Sequence, residues 1–240
     1  MGGRAPSYPG MGRVGMLDLL RGLSLVLMVV YHFFYDLTLY CGFPKSVMFH
    51  PFINFLQLVF ASLFVAMSGA TTVFSKSCAK RAVRLLAAAG VVTLATWFFN
   101  HQVFVRFGIL HFLGVASLIG GLFLRFPALQ KVHPFVWLGL FVVSRHLLSG
   151  IFPIPHLWML GIRDAAFSSS DYFPILPWIF MYALGIWFGG KVKSGALPAW
   201  FYSVRQVQLQ WVGRHPLWIY LLHQPVCMGI TLLIARLMGR

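Results

Sequence analysis

The sequence predicts an all-α fold, a polytopic transmembrane helical bundle of about seven spans, and three observations carry that prediction. Apolar residues make up 59% of the 240-residue chain and charged residues only 10%, where a soluble domain carries about 25% charge. The mean hydropathy is +0.81. Apolar runs recur along the whole chain, at 15–39, 52–74, 84–100, 107–125, 134–150, 172–190 and 216–236. Each approaches the length a helix needs to cross the hydrocarbon core. No polar stretch is long enough for a separate soluble domain, so residues 1–240 read as one membrane-embedded domain with a short basic tail at 1–13.

The first run contains Asp18 and Arg21 and no small-residue cleavage site, so it reads as a retained span and not as a removed signal peptide. The second, Phe52 to Phe74, has no charge and ends in the small-residue patch Ser68-Gly69-Ala70. The third is short, and Arg81 and Arg84 before it can snorkel to the interface. Arg145 and His146 interrupt the fifth, which is the weakest of the set. Ile151 to Ile162 is apolar but too short to cross and contains two prolines, as a re-entrant or interfacial piece would. Ala196 to Val212 mixes Trp200, Phe201, Tyr202 and Trp211 with Arg205 and three glutamines, which suits an interfacial segment.

In a soluble protein the formal charge of +15 would suggest a nucleic-acid partner. Here Lys and Arg cluster between apolar runs, as positive-inside topology and anionic lipid head groups require. The predicted partner is therefore the lipid bilayer, with no nucleic acid. With seven spans, one side receives Arg4, Arg13, Lys76, Lys80, Arg81, Arg84, Arg125, Lys131, Lys191, Lys193, Arg205 and Arg214. The other receives Lys45, Arg106, Arg145, Arg163, Arg236 and Arg240, offset by Asp36, Asp164 and Asp171. The first side is cytoplasmic, which puts the N-terminus inside and the C-terminus outside. Cys41, Cys78 and Cys227 are scattered, so neither a disulfide framework nor a metal site is expected.

The chain has four carboxylates, and two of them lie in the first apolar run. At about 100° per residue, Asp18, Arg21, His32 and Asp36 fall within about 60° of one another on one helical stripe. Roughly 27 Å separates Asp18 from Asp36 at 1.5 Å rise per residue. Ionisable groups in a spanning helix face a bundle interior or a wet cavity, so the stripe reads as one wall of a functional cavity. Its outer end carries His32 and Asp36, one turn apart, where a carboxylate can orient an imidazole. The predicted topology brings His50, Arg106, His111 and Asp171 to the same leaflet. The inner half holds Asp18, Arg21, Arg214, His215 and His223. Simpler readings stand beside these: an i,i+3 ion pair for Asp18 and Arg21, a packing role for His111, a helix cap for Asp171, and a polar interhelical contact for His223.

Several stretches together resemble a known family. Leu17-Asp18-Leu-Leu-Arg21-Gly22, with Tyr31-His32 at the end of the same helix, resembles the opening helix of transmembrane acyltransferases. Phe60-Ala-Ser-Leu-Phe64-Val-Ala-Met-Ser68-Gly69 resembles their second helix. Arg106-Phe-Gly108-Ile-Leu-His111, Asp171-Tyr-Phe-Pro174-Ile-Leu-Pro177-Trp178 and Gly213-Arg214-His215-Pro-Leu-Trp-Ile-Tyr220-Leu-Leu-His223-Gln224-Pro225 complete an ordered set. The set is similar to the catalytic domain of heparan-α-glucosaminide N-acetyltransferases, in a compact bacterial branch, and covers most of the chain outside 126–165.

The resemblance implies transfer of an acetyl group from cytosolic acetyl-CoA to a sugar or lipid acceptor of the cell envelope, on the far side of a bacterial cytoplasmic membrane. In lysosomal relatives the position matching His32 is asparagine, and a histidine in the following loop is catalytic. Here that loop offers His50, so His32, His50 and His111 all remain candidate bases. Arg21 and Arg214, with Asp18 and His223, form the expected acetyl-CoA end, since guanidinium groups suit phosphates. His32, Asp36, His111, Asp171 and His50 form the expected catalytic end. Other classes compatible with these residues are a proton-coupled permease relaying protons through the same His and Asp groups, and a non-enzymatic assembly protein. Association into a homo-oligomer stays open at this level.

The charge asymmetry makes the orientation testable. Lys80→Cys and Lys131→Cys, each in a background lacking Cys41, Cys78 and Cys227, should resist a membrane-impermeant maleimide on intact cells and react once the membrane is opened. Labelling from outside intact cells would reverse the orientation.

Overall fold

The computed structural model describes residues 14–102 and 104–239. The predicted basic tail at 1–13 lies outside the described residues, as does Arg240. The described chain is an all-α membrane bundle. In order, the helices are α1 (Gly15–Asp36), α2 (Lys45–Met48), α3 (Pro51–Thr72), α4 (Cys78–Phe99), α5 (Ile109–Phe123), α6 (Pro127–Gln130), α7 (Pro134–Leu147), α8 (Ile175–Lys193), α9 (Ala199–Ser203), α10 (Val207–Arg214) and α11 (Pro216–Leu237). Among the described residues there is no strand, only two isolated bridges, Phe107 with Tyr172 and Ile151 with Arg163.

Five helices are long and apolar enough to cross a membrane: α1 with its extension to Cys41, α3, α4, α8 and α11. Two further apolar helices, α5 and α7, are shorter. Each of the seven predicted runs therefore corresponds to a helix, but the ends differ for physical reasons. Helix α1 continues into a π-helical turn over Leu37–Cys41, and Gly42 stops it at φ 77, a left-handed conformation suited to glycine. Helix α4 begins at Cys78, ahead of the predicted 84, because Ser77 caps it by accepting from the Lys80 amide at 3.2 Å. Lys80, Arg81 and Arg84 thus sit inside its first turns. Helix α7 ends at Leu147, with Arg145 and His146 in its last turn, where cations complement the helix dipole. The Ile151–Ile162 stretch forms a loop with one 3-10 turn, Trp158–Leu160, and crosses nothing.

The fold comprises two compact units. One holds residues 65–197 with the end of α3, α4 to α8 and the loops between them. Its seam is built from small residues. A Cβ on Gly69 would meet the Tyr182 carbonyl, one on Gly185 the Ala66 carbonyl, and one on Gly189 the Ala70 carbonyl, so α3 and α8 touch backbone to backbone. Spanning helices use small residues in this way, because packing and not apolar burial holds them together in lipid. Tyr182 is fully buried at the centre of this unit. Its hydroxyl lies 2.6 Å from Thr72 Oγ1, which already donates to the Ser68 carbonyl and therefore accepts from Tyr182. Arg81 donates to Thr72 Oγ1, the Ser68 carbonyl and Ser68 Oγ, so hydroxyl and carbonyl oxygens solvate its guanidinium where α4 meets α3.

The other unit holds residues 8–64 and 198–240. Here α1 is packed by α10 and α11. A Cβ on Gly22 would strike the Leu209 carbonyl, and one on Gly213 the Asp18 carbonyl. Two glycines thus let α10 lie directly on the first turns of α1. Only His215 separates α10 from α11, so α11 starts beside α1 and climbs along it. Arg21 meets Gly213, His32 meets His223, Asp36 meets Gln224, Tyr40 meets Met228 and Cys41 meets Thr231. Both numbers rise together, so α1 and α11 run parallel.

The glycine contact gives a stability prediction. Gly22→Ala and Gly213→Ala force a methyl against a backbone carbonyl that cannot rotate away. Each should cost about 1–3 kcal/mol, as overpacking does, seen as a lowered Tm of the purified protein. Gly229→Ala, whose added Cβ meets nothing within 4 Å, should leave Tm unchanged or raise it.

Candidate active site

The stripe read from the first helix is a contact face, and its two ends hold different chemistry. At the N-terminal end Asp18 is 3% exposed. Arg21 Nη1 lies 3.9 Å from its Oδ1 and Arg214 Nε 3.5 Å from its Oδ2. Arg21 also donates to the Gly213 carbonyl at 3.2 Å. The expected i,i+3 ion pair is therefore present, and among the described residues it is part of a cluster that sets two cations, Arg21 and Arg214, on the Asp18 carboxylate. The Arg214 side chain is 44% exposed, so it can meet an anion while Asp18 anchors it. The Asp18 carbonyl against Gly213 and the Asp18 carboxylate against Arg214 bring these two short segments together.

At the other end, His32 and His223 face each other with ring centroids 5.0 Å apart and planes at 75°. His32 Nδ1 donates to the Met28 carbonyl at 2.9 Å. A carbonyl only accepts, so Nδ1 carries the proton of the neutral ring and Nε2 keeps its lone pair. His223 repeats the arrangement, with Nδ1 donating to the Tyr220 carbonyl at 2.6 Å. Its Nε2 is buried and has no hydrogen-bond partner among the described residues. Two imidazoles are thus fixed by their own helices, each with an uncommitted basic nitrogen. Buried polar atoms without partners are rare in folded proteins, and at a reactive site they mark a place for a proton or a ligand.

Asp36 is 2% exposed and accepts from Gln224 Nε2 at 3.1 and 3.2 Å. The carboxylate therefore ties α1 to α11, and the hydrogen bond of His32 Nδ1 goes to the Met28 carbonyl. Gln224 was not singled out from the sequence. Its signal was there, since His223-Gln224 is a polar pair inside an apolar helix. His223 itself sits with His32 and not with the Asp18 cluster where the sequence reading grouped it. His50 is exposed, and its Nδ1 accepts from the Phe52 amide at 3.2 Å, where α3 begins.

His111 and Asp171 belong to the other unit, and there they organise the start of α5. His111 Nδ1 accepts from the Gly108 amide at 3.3 Å, which leaves Nε2 as the protonated nitrogen, 3.2 Å from Thr93 Oγ1. Thr93 passes its own proton to the Val105 carbonyl at 2.8 Å. Both ring nitrogens of His111 are thereby used. Asp171 Oδ2 accepts from the Ile109 amide at 3.0 Å. It caps α5, sixty-two residues away, and not the helix that follows it in sequence, as the capping reading expected. The same oxygen occupies the space that a Cβ on Gly108 would need. Ser169 Oγ links the Arg106 amide to the Asp171 carbonyl, and the Phe173 amide donates to the Phe107 carbonyl at 2.9 Å. Burial pushes the Tyr172 hydroxyl up to about 12, against the opposing Arg163 charge, so it stays protonated and donates to the Trp158 carbonyl. Arg106-Phe-Gly-Ile-Leu-His111 and Asp171-Tyr-Phe are thus two halves of one helix cap.

A capping role has a measurable consequence. Asp171→Ala should lower stability by about 0.5–2 kcal/mol, the usual cost of a lost N-cap, and His111→Ala should lower it similarly. His111→Ala with wild-type Tm but no activity would return His111 to the chemistry.

No curated protein and no solved structure matches the chain. A family model does, over residues 13–225, and its description is "Heparan-alpha-glucosaminide N-acetyltransferase, catalytic". That span takes in both ends of the α1 stripe, the α5 cap and the His223-Gln224 pair. The chain is an integral membrane protein that belongs to the heparan-alpha-glucosaminide N-acetyltransferase catalytic-domain family, and so to the membrane acetyltransferases.

Proposed function

We propose that the protein transfers an acetyl group from cytosolic acetyl-CoA to a hydroxyl or amine of a sugar or lipid acceptor on the extracytoplasmic side, with His32 as general base. The observation that carries this reading is the uncommitted Nε2 of His32 beside the buried, unpartnered Nε2 of His223. Acetyl transfer needs a base for the acceptor proton and a donor for the developing oxyanion. His32 can supply the base, and a hydroxyl of Tyr31 or Tyr35 on the same helix the donor. His32 takes the proton as the acceptor attacks the thioester carbonyl. The protonated ring returns it to the departing thiolate, while neutral His223, its ring centroid 5.0 Å from that of His32, keeps a second lone pair beside the ring that becomes charged. Asp36 acts through Gln224, keeping α11 in the register that faces the two rings.

At the other end, Arg214 and Arg21 hold the nucleotide phosphates. Among the described residues two guanidiniums share the Asp18 carboxylate, and Arg214 reaches solvent. From Asp18 to His32 is about 21 Å along α1, the path on which the acyl arm would lie. His111 and Asp171 shape α5 and take no proton in this scheme, and His50 serves the start of α3.

The test is a set of variants read two ways: CoA binding, and transfer of labelled acetyl groups from acetyl-CoA to an envelope extract. His32→Ala should lose about 10²–10⁴-fold in rate, as loss of a positioned base does, while binding CoA normally. His223→Ala should lose rate with CoA binding intact. Arg21→Gln and Arg214→Gln should weaken CoA binding with the fold kept. Near-normal transfer by His32→Ala with a dead His50→Ala would move the base to His50. Substrate-dependent proton flux in liposomes without any acetyl transfer would make the histidine pair the relay of a permease.

A further inference from the structure

Arg106 is a cation for which the unit of residues 65–197 provides no anion. Among the described residues its side chain makes no hydrogen bond and no ion pair. Nε is buried without a partner, and the Nη atoms, equally without partners, are not buried. The accessible part of the side chain is therefore the fork of the guanidinium. The two carboxylates of this unit serve backbone amides instead, Asp164 that of Ala166 at 3.0 Å and Asp171 that of Ile109 at 3.0 Å. Nothing in the acetyl-transfer scheme uses Arg106.

Aromatic rings hold this cation in place. Its Cζ lies over the Phe104 ring at 5.1 Å and over the Phe167 ring at 5.8 Å. Such contacts attract the charge but offer no lone pair to the five N–H donors of a guanidinium. Phe167 is itself fixed, stacked on Trp158 at 5.6 Å and packed on Tyr172 at 4.8 Å. Arg163, over the Tyr172 ring at 5.9 Å, adds a second positive charge to the same aromatic cluster. The Arg106 backbone is pinned as well. Its amide donates to Ser169 Oγ at 3.1 Å, and the neighbouring Val105 bonds through its amide to Thr96 Oγ1 and through its carbonyl to Thr93 Oγ1. The fork is thus ordered before any ligand arrives, which strengthens binding.

The chemistry and the depth of the fork indicate its ligand. A planar guanidinium with unpaired N–H groups fits an oxoanion through two parallel hydrogen bonds. Thr93 and Thr96 lie in the last two turns of α4, so Arg106 stands level with the end of that helix. There Trp97, Phe98 and Phe99 are 39%, 73% and 70% exposed. Aromatic side chains collect where a spanning helix reaches the lipid headgroups, and phosphate is the oxoanion of that layer. We propose that Arg106, braced by Phe104 and Phe167, is the recognition residue of a phosphate-binding site at headgroup level, taking the phosphate of a lipid headgroup or of a soluble phosphate ester. This site does not rest on the acetyl-transfer reading.

The test is the Tm of the purified full chain in detergent, titrated with phosphatidylglycerol, with glycerol phosphate, with diacylglycerol, or with sodium chloride at matched ionic strength. A ligand that binds the folded state raises Tm in a saturable way. Phosphatidylglycerol should do so, and diacylglycerol and sodium chloride should not. A rise with phosphatidylglycerol alone assigns the phosphate to a lipid, and a rise with glycerol phosphate as well assigns it to a soluble ester. Arg106→Gln should abolish the rise. Arg106→Lys, which keeps the charge but loses the fork, should weaken the apparent affinity several-fold. Phe167→Leu, which keeps the fork but loses one brace, should weaken it too, so the result does not rest on one variant folding. No rise with either phosphate probe would overturn the proposal, as would an equal rise with diacylglycerol or sodium chloride. So would an undiminished rise in Arg106→Gln, or in both Arg106→Lys and Phe167→Leu should Arg106→Gln fail to fold. A lower starting Tm in these variants with an unchanged response to phosphate would leave Arg106 as a packing brace and no more.

Discussion

The carboxylate of Asp18 is the contact on which the unit of residues 8–64 and 198–240 depends. It is nearly fully buried and takes both Arg21 and Arg214. Removing one partner of a buried ion pair typically costs 3–5 kcal/mol, because the remaining charge is stranded. Here the loss would strand Arg21, whose side chain is 11% exposed, while Arg214 reaches solvent. The consequence reaches further than the charges. Arg214 is the last residue of α10, and α11 follows after a single residue. The Asp18–Arg214 contact, with the Gly22 and Gly213 approach beneath it, therefore fixes where α11 starts. A slip of one residue would rotate α11 by about 100° and take His223 away from His32.

Hydrogen-bond roles separate the three candidate histidines more sharply than position does. His32 gives one nitrogen to its own helix and keeps a lone pair. His111 gives one nitrogen as acceptor and the other as donor, so it cannot take a proton without breaking its cap. His50 spends Nδ1 on a backbone amide at the surface. A general base must have a free lone pair and a way to be held still, and among these three His32 combines both within a spanning helix. His223 brings the second ring, and its buried, unpartnered nitrogen is the costly feature that a purely structural histidine would not need.

Much of this was legible in the sequence, and the limits have physical causes. Apolar runs located every long helix, because lipid imposes a length and a composition that few soluble segments meet. The Asp18, Arg21, His32, Asp36 stripe was visible as periodicity, and it is the face that α10 and α11 cover. Helix ends were less legible. Basic residues continue α4 toward the interface, where a hydropathy criterion stops at Arg84. The partner of Asp36 was hidden because pairing across helices depends on register, and no periodicity within one helix reveals it. The role of Asp171 was hidden for the same reason. Its cap belongs to a helix that precedes it in sequence, joined to it through a loop contact. The ordered motifs that resemble the family are also contact points of this packing.

The parallel course of α1 and α11 bears on the two short helices. If both cross the membrane in the same direction, the number of crossings from the first to the second, both included, is odd. The five long helices satisfy this alone, and so do all seven. Six do not, so α5 and α7 cross together or not at all. At 15 and 14 residues they reach about 22 and 21 Å, short of a hydrocarbon core of about 30 Å. Helix α5 is largely buried in protein, and its N-terminal amides are satisfied by His111 and Asp171. Backbone that ends inside the membrane is tolerated where protein covers it, so a capped and buried α5 can end below the membrane surface without exposing polar groups to lipid. That requirement accounts for a carboxylate and a histidine spent on one helix terminus in a chain with only four acidic residues. Helix α7 has no such cap at its start. There His133 and Pro134 open it, the proline having no amide to satisfy, and the neighbouring 124–133 loop carries the interfacial cations.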